Sequence, residues 1–289
     1  MPRLDIEIVN RGLARSRALA QSYIGEGNVL VNGMVIDKAS KNINESDEIT
    51  IQNKLKYVSR GGLKLERALL EFCPNLTTDH NHPIPSPSPK EGSHPDALLP
   101  FLWRRGRGMG KDFICLDIGS STGGFTDCLL QYGATHVTAV DVGSNQLDAS
   151  LRSDDRITLY ENTDIRNLFG ILNKENKNIK FNLITIDVSF ISLTKIIPYL
   201  GVFCFDKEKD IIDQEYKKDK RITKVIALVK PQFEVGKGNS LSDNVYEEVI
   251  ENIKKCFEQN GFTYVGHIDS PITGGDGNRE FLMYVDYSR

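Results

Sequence analysis

The sequence predicts two parts: a small α+β module over about the first 55 residues, then an α/β domain on a mainly parallel sheet. Three observations carry this reading. From residue 113 onward, short apolar runs alternate with amphipathic stretches, the rhythm of strands connected by crossover helices. Those runs are apolar without interruption, as strands covered on both faces are. Residues 1–55 instead carry two short helical patterns and a hairpin signature. A chain of 289 residues, 39% hydrophobic and 26% charged, is long and apolar enough for two globular domains.

In order, Leu4, Ile8, Val9 and Leu13 suggest a first amphipathic helix. Ala18, Leu19 and Ile24 suggest a second, starting near Ser16 and stopped by Gly25 and Gly27. Val29-Leu-Val, the turn Asn32-Gly33 and Met34-Val-Ile read as a hairpin, and Glu48-Ile-Thr-Ile as a further strand. Arg60-Gly-Gly-Leu-Lys leads into a helix of about 12 residues, with Leu65, Leu69, Leu70 and Phe72 at helical spacing. Residues 80–96 hold five of the eleven prolines and read as a surface loop; Arg104, Arg105, Arg107 and Lys111 follow beside Trp103. Strands are expected at 113–118, 137–141, 181–187, 222–229, 262–269 and 279–286, with another before Asn162. Helices are expected near 124–132, 192–200 and 243–260. Residues 206–221 carry twelve charges, six of each sign, and read as a solvated insertion.

Composition excludes several classes. A net charge of −3, from 36 Lys+Arg against 39 Asp+Glu, gives no global cationic field, so any nucleic-acid contact must be a local patch. The longest uncharged apolar run, 196–205, is too short to span a bilayer and contains Pro198. Arg3, Asp5 and Glu7 stand where a signal peptide needs an apolar core. Five scattered cysteines, none in a CxxC pair, support neither a disulfide framework nor a zinc site. His80 and His82 lack acidic or thiol partners in a fixed frame, so no metal is expected. These features point to a cytoplasmic protein.

The strongest local signal is Leu116-Asp-Ile-Gly-Ser-Ser-Thr-Gly-Gly-Phe, spanning a strand end and a helix start. Glycines there admit a ligand close to the backbone, and the helix N-terminus offers free N–H groups. The spacing GxxxGG is not the GxGxxG of dinucleotide sites, and no Gly-Lys-Ser/Thr follows as in a P-loop. Asp141 ends the next strand, where an acid can accept both hydroxyls of a ribose. S-adenosylmethionine is therefore the expected cofactor, held by Asp117, Gly119, Ser120, Ser121, Thr122, Gly123, Gly124, Phe125 and Asp141. Asp187 and Lys230 each end an apolar strand, opposite charges facing one crevice at the carboxyl ends of a sheet.

Beyond these signals, the chain resembles the TlyA family of ribosomal RNA 2'-O-methyltransferases, often labelled haemolysins, over 1–72 and 113–289. The resemblance rests on Arg11-Gly-Leu-Ala-Arg-Ser-Arg, Val31-Asn-Gly, Ser59-Arg-Gly-Gly-Leu-Lys-Leu, the 116–127 string, Asp187-Val-Ser-Phe-Ile-Ser, Val229-Lys-Pro-Gln-Phe-Glu and Gly277-Asn-Arg-Glu-Phe. It implies an S4-like RNA-binding domain over 1–55 and an FtsJ-like, Rossmann-like class I methyltransferase domain with a seven-stranded sheet over 56–289. The stretches near 77–110 and 205–221 are insertions unusual for that family. The family's catalytic Lys-Asp-Lys-Glu set falls on Lys64, Asp187, Lys230 and Glu280; Lys64 enters through the resemblance alone. The equivalent of Asp164 reaches the adenine amino group in related methyltransferases.

A ribose 2'-hydroxyl attacks a methyl sulfonium only once its proton is removed. Lys230 is the expected base and Lys64 the cation that orients the hydroxyl, though the two roles could be exchanged. Asp187 and Glu280 would hold the lysines. The chain lacks the Asn/Asp-Pro-Pro-Tyr/Phe string of base N-methylation and a strand-end cysteine for cytosine C5 attack. Arg3, Arg11, Arg15, Arg17 and Arg60 are the expected RNA contacts. The partner is then ribosomal RNA or a ribosomal subunit. Lacking a basic N-terminal extension, the chain resembles the shorter family members that act on the large subunit. Two other readings compete: a pore-forming haemolysin, and a non-catalytic RNA-binding protein on a degenerate methyltransferase fold.

Overall fold

A computed structural model describes residues 2–14, 17–53, 56–73, 113–175, 177, 179–205, 222–235, 242–274 and 277–287. The expectations for the proline-rich run, the basic cluster beside Trp103, His80, His82 and the charged run at 206–221 lie outside these residues, as does Arg15.

The N-terminal module contains α1 (Leu4–Asn10), α2 (Arg17–Gly25) and the strands β1 (Val29–Val31), β2 (Met34–Val35) and β3 (Ile49–Ile51). Its sheet is antiparallel in the order β2-β1-β3, with Asn32 and Gly33 at positive φ closing the hairpin. Leu4, Ile8, Leu19, Tyr23, Ile24, Val29, Ile43 and Ile49 form its core.

The larger domain begins with α3 (Gly61–Phe72), so both glycines of the Arg-Gly-Gly string lie in the first turn of the helix. Then follow β4 (Ile114–Ile118), α4 (Gly124–Gln131), β5 (His136–Val140), α5 (Ala149–Arg152), β6 (Ile157–Tyr160), α6 (Ile165–Lys174), β7 (Leu183–Ile186), β8 (Lys224–Val229), α7 (Pro231–Glu234), α8 (Asp243–Gln259), β9 (Phe262–Asp269) and β10 (Phe281–Tyr287). Seven strands pair in the order β6-β5-β4-β7-β8-β10-β9. Neighbours from β6 to β8 are parallel, and β10 runs antiparallel to both β8 and β9. Two apolar clusters cover the sheet. One spans Leu116, Ile184, Val225 and Phe257; the other spans Leu65, Leu129, Val137 and Leu228. Strand order reverses between β4 and β7, and a ligand crevice forms where such loops diverge.

Two local expectations are corrected. Residues 192–200 are not an α-helix but part of three consecutive 3-10 turns, Leu193–Lys195, Ile197–Tyr199 and Gly201–Phe203. Pro198 has no N–H to continue an α-helical ladder, and Gly201 follows close behind. The helix α6, unassigned from the sequence, packs Ile165, Leu168 and Leu172 inward.

What positions the site is the contact between α3 and α4. A Cβ on Gly124 would lie 2.2 Å from Ser59 Oγ and 3.0 Å from the Gly62 nitrogen; one on Gly62 would lie 2.2 Å from the Tyr57 ring. Buried Asp127 on α4 accepts a hydrogen bond from the Val58 N–H at 2.8 Å, fastening the approach to α3. At its far end α3 stacks Phe72 on Tyr284 of β10, centroids 5.1 Å apart. Gly62→Ala is expected to destabilise the domain by roughly 1–3 kcal/mol through overpacking against Tyr57. Urea unfolding of the variant checks this, and an unchanged midpoint contradicts it.

Candidate active site at the carboxyl ends of the central strands

The loop 119–123 joins β4 to α4. Gly119 takes φ +83°, and a Cβ there would lie 2.3 Å from the Asp187 carbonyl oxygen. Only glycine allows the loop after β4 to lie this close to the loop after β7. Between them opens a cleft of about 250 Å³, reached by Arg60, Lys64, Gly119, Ser120, Phe125 and Asp187, with Ser59, Gly61, Ser121, Thr122, Gly124, Ile272 and Thr273 completing its wall. Ser120 Oγ is buried and has no hydrogen-bond partner. A buried hydroxyl lining a cleft without a partner suits a polar ligand group.

Two ion pairs flank this cleft. Lys64 Nζ, on α3, lies 2.5 Å from Oε2 of Glu280, which immediately precedes β10 and is 3% exposed. Gly274 leaves the space that Glu280 needs: a Cβ there would come within 2.5 Å of Oε1. Lys230 Nζ, just after β8, lies 2.6 Å from Asp187 Oδ1 and donates to Ser189 Oγ at 3.0 Å. Four charges from α3, β7, β8 and β10, distant in sequence, thus gather as two lysine–carboxylate pairs, with Lys64 and Asp187 facing the same cleft. The expected catalytic set is brought together.

The expected cofactor residues divide. Gly119, Ser120, Ser121, Thr122, Gly124 and Phe125 line the cleft, and Gly123 sits behind it against Leu151. Asp141 ends β5, and its carboxylate accepts from the Ser121 N–H at 2.8 Å and the Gly143 N–H at 2.7 Å, leaving lone pairs for ribose hydroxyls. Asp117 does not line the cleft. It is 0% exposed, and its oxygens accept from Thr126 Oγ1 at 2.6 Å and Thr185 Oγ1 at 2.9 Å. It ties α4 and β7 to β4 instead, because β4 is an interior strand of the sheet and its side chains are covered on both faces. Asp164 is not among the residues lining the cleft either: it caps α6 through the Arg166 N–H and pairs with the Arg166 guanidinium at 2.5 Å.

The basic residues of the N-terminal module are largely occupied within the protein. Arg11 bonds Glu7 Oε1 at 2.8 Å and donates to the carbonyls of Asp47, Asn44 and Glu45. It is a clamp on the 44–47 turn rather than a free phosphate contact. Arg3 and Arg17 both reach the fully buried Asp5, at 3.0 and 2.8 Å, but remain about half exposed and can turn outward. Burial raises the Asp5 carboxyl, yet the hydrogen bonds from Arg3, Gln21 and Arg17 outweigh it and hold the group well below the usual carboxylate range. Arg60 is exposed at the cleft mouth.

Two residues absent from the expected set follow closely on Asp187 and touch the turn of Lys230. Ser189 fixes Lys230, and Phe190 is 92% exposed at φ +65°, with its ring 5.1 Å from Phe233. Both lie inside the Asp187-Val-Ser-Phe-Ile-Ser string, and an aromatic so close behind a strand-end acid is the signal that marks them.

Burial lifts Asp117 from its ordinary 3.8 to about 6, against the hydrogen bonds from Thr126 and Thr185 and with a smaller upward push from Asp187. The folded state therefore keeps a proton that the unfolded chain releases over this interval. Stability is highest below about pH 4 on this account and falls as pH rises to about 6, by roughly 3 kcal/mol. Urea midpoints of the wild type and Asp117→Asn, measured from pH 4 to 8, are expected to show this fall in the wild type alone. Parallel curves would contradict it.

Comparison with known proteins adds findings of three kinds. An FtsJ-like methyltransferase model matches residues 57–287, and an S4 domain model matches residues 2–49. The chain is 36% identical over 290 residues to hemolysin A of Brachyspira hyodysenteriae, covering 98% of both chains. It is 33% identical over 291 residues to the 16S/23S rRNA (cytidine-2'-O)-methyltransferase TlyA of Mycobacterium tuberculosis, covering 98% of this chain and 89% of the relative. A solved structure from Streptococcus thermophilus, described as a candidate hemolysin, superposes with a TM-score of 0.63 at 33% identity, covering 99% of this chain and 88% of that one.

Proposed function

We propose, for a chain that belongs to the FtsJ-like methyltransferase family, S-adenosylmethionine-dependent 2'-O-methylation of a ribose, at cytidine, in ribosomal RNA. The observation that carries the proposal is the pair of lysine–carboxylate contacts beside a glycine-walled cleft, Lys64–Glu280 and Lys230–Asp187.

The cleft fits the cofactor. Ser120 Oγ is an unpartnered buried hydroxyl, the first turn of α4 offers N–H groups without intrahelical acceptors, and Asp141 ends the neighbouring strand with lone pairs to spare. Ser120, Ser121, Thr122 and Asp141 would hold it. When bound, S-adenosylmethionine supplies an electrophilic methyl group.

The protein's own residues supply the rest. Lys230 is the base that takes the proton of the 2'-hydroxyl, and Asp187, 2.6 Å from its nitrogen, holds the ammonium in line. Lys64, anchored by buried Glu280, orients the hydroxyl oxygen. Phe190, almost wholly exposed one loop turn from Asp187, offers a stacking face to an unstacked base. Arg60 at the cleft mouth and the turned-out Arg3 and Arg17 contact phosphates. Such a substrate places the protein in the cytoplasm.

Among the described residues no helix is long and apolar enough to cross a membrane. The relatives' hemolysin name therefore has no spanning helix behind it here, and the competing activity is tested by liposome leakage.

Methyl transfer from labelled S-adenosylmethionine to isolated ribosomal subunits tests the proposal. The large subunit is the expected acceptor and a cytidine 2'-oxygen the mapped position. Lys230→Ala is expected to lower the single-turnover rate by about 10²–10⁴, with cofactor affinity by calorimetry nearly unchanged. A near-wild-type rate would remove Lys230 as the base, and methylation of small subunits would redirect the substrate. Phe190→Ala is expected to raise KM for RNA about tenfold, consistent with roughly 1–3 kcal/mol of stacking, and Phe190→Tyr to restore it. Deleting residues 1–55 is expected to flatten the salt dependence of RNA binding, since fewer counterions are then released. An unchanged slope would assign RNA binding to the catalytic domain.

A further inference from the structure

The loop that carries Asp187 and the turn that carries Lys230 touch at several points. Asp187 and Ser189 meet the Lys230 ammonium, at 2.6 and 3.0 Å, and the Phe190 ring leans on Phe233. One attachment has no part in the chemistry described above. Glu234 ends α7, four residues after Lys230, and reaches back across the gap. Its Oε2 accepts from Ser192 Oγ at 2.5 Å, and its Oε1 accepts from the Leu193 N–H at 2.9 Å. Ser192 caps the 3-10 turn Leu193–Lys195 that closes the Asp187 loop. A single carboxylate thus binds the first orphan N–H and the capping hydroxyl of that turn.

From this geometry we infer that Glu234 is a positioning residue, the bolt that locks the Asp187–Ser192 loop against the Lys230 turn and so sets the register of the Lys230–Asp187 pair and of Phe190. Three physical points support it. The loop it holds contains Phe190 at φ +65°, a conformation that a bulky side chain adopts only when its surroundings impose it. α7 is a single four-residue turn that begins at Pro231, too short to hold its own shape, so its far end needs an external anchor. Two hydrogen bonds to one partly buried side chain, from the capping hydroxyl and from the first free N–H, fix the turn at both of its open groups. Burial pushes the Glu234 carboxyl above its ordinary range, against the bonds from Leu193 and Ser192. A neutral amide is therefore a fair substitute: Gln can accept from the Leu193 N–H with its oxygen and donate to Ser192 Oγ, whose own proton can turn to Thr194 Oγ1 at 2.7 Å.

The inference rests on the methyltransferase reading, and the test keeps the two apart. Wild type, Glu234→Gln, Glu234→Ala and Ser192→Ala are compared for single-turnover methylation of large subunits, S-adenosylmethionine affinity, and hydrogen exchange over 187–195. Glu234→Ala is expected to lose about 10–100-fold in kcat with KM for cofactor within twofold, and to raise exchange at Leu193. Glu234→Gln is expected to keep at least half the wild-type rate and wild-type exchange. Ser192→Ala, which deletes one donor and leaves the acid, is expected to lose about threefold and covers the case in which Glu234→Ala fails to fold. Wild-type kcat in Glu234→Ala or in Ser192→Ala overturns the positioning role. So does a Glu234→Gln variant as impaired as Glu234→Ala, which would make the charge itself the requirement. An inactive wild type with altered exchange in Glu234→Ala would instead overturn the methyltransferase reading and leave the bolt standing.

Discussion

Two helices that begin with glycine can approach until their backbones touch, and the site depends on that approach. Gly61 and Gly62 open α3 and Gly124 opens α4, and a Cβ on Gly124 would lie 3.0 Å from the Gly62 nitrogen and 3.3 Å from the Gly61 Cα. The contact places α3 across the mouth of the β4 loop, so Lys64, two residues after Gly62, projects into a cleft otherwise built by sheet loops. A strand-end loop alone supplies one side of a pocket; this helix supplies the other. Its far end is fixed by Phe72 on Tyr284, and the same strand, β10, is immediately preceded by Glu280. The partner of Lys64 is therefore placed by the element against which the helix of Lys64 docks.

The charges are arranged with a common logic. Each lysine of the site is matched by a carboxylate within ion-pair distance, so neither enters a partly buried position alone, where an unpaired charge would be costly. Asp117 follows a different course: it has no cation beside it among its hydrogen-bond partners, only two threonine hydroxyls, and burial raises its proton affinity. Asp5 in the small module shows the opposite balance, buried but surrounded by Arg3, Arg17 and Gln21. Burial acts in the same direction on both acids, and the partners decide the outcome.

The small module separates arginines that build structure from those that can serve a partner. Arg11 has four internal acceptors and holds a turn; Arg3 and Arg17 share one buried acid and keep half their surface in solvent. A shape-reading RNA module needs both kinds, a rigid frame and phosphate contacts projecting from it. The pairing with Asp5 holds Arg3 and Arg17 side by side on the module's surface.

The sequence by itself determined the two-part organisation, most strands and helices of both parts, the glycine-rich loop and the strand-end positions of Asp187 and Lys230. Periodicity, turn residues and strand-end charges are local features, so one pass along the chain exposes them. It did not resolve the 3-10 turns at 193–203, where Pro198 and Gly201 break a pattern of helical spacing, nor α6, which follows a short edge strand. Only the tertiary structure decided which acids face the cleft. Asp117 and Asp141 end adjacent strands and look alike in sequence, yet the interior strand β4 buries one while the loops beside β5 leave the other partly open. Only it decided, too, that Lys64 meets Glu280 across 216 positions of chain, and that Arg11 turns inward while Arg17 stays half in solvent. Local sequence sets the chemistry each side chain offers; its partner depends on which strands lie side by side, and that order is a property of the whole sheet.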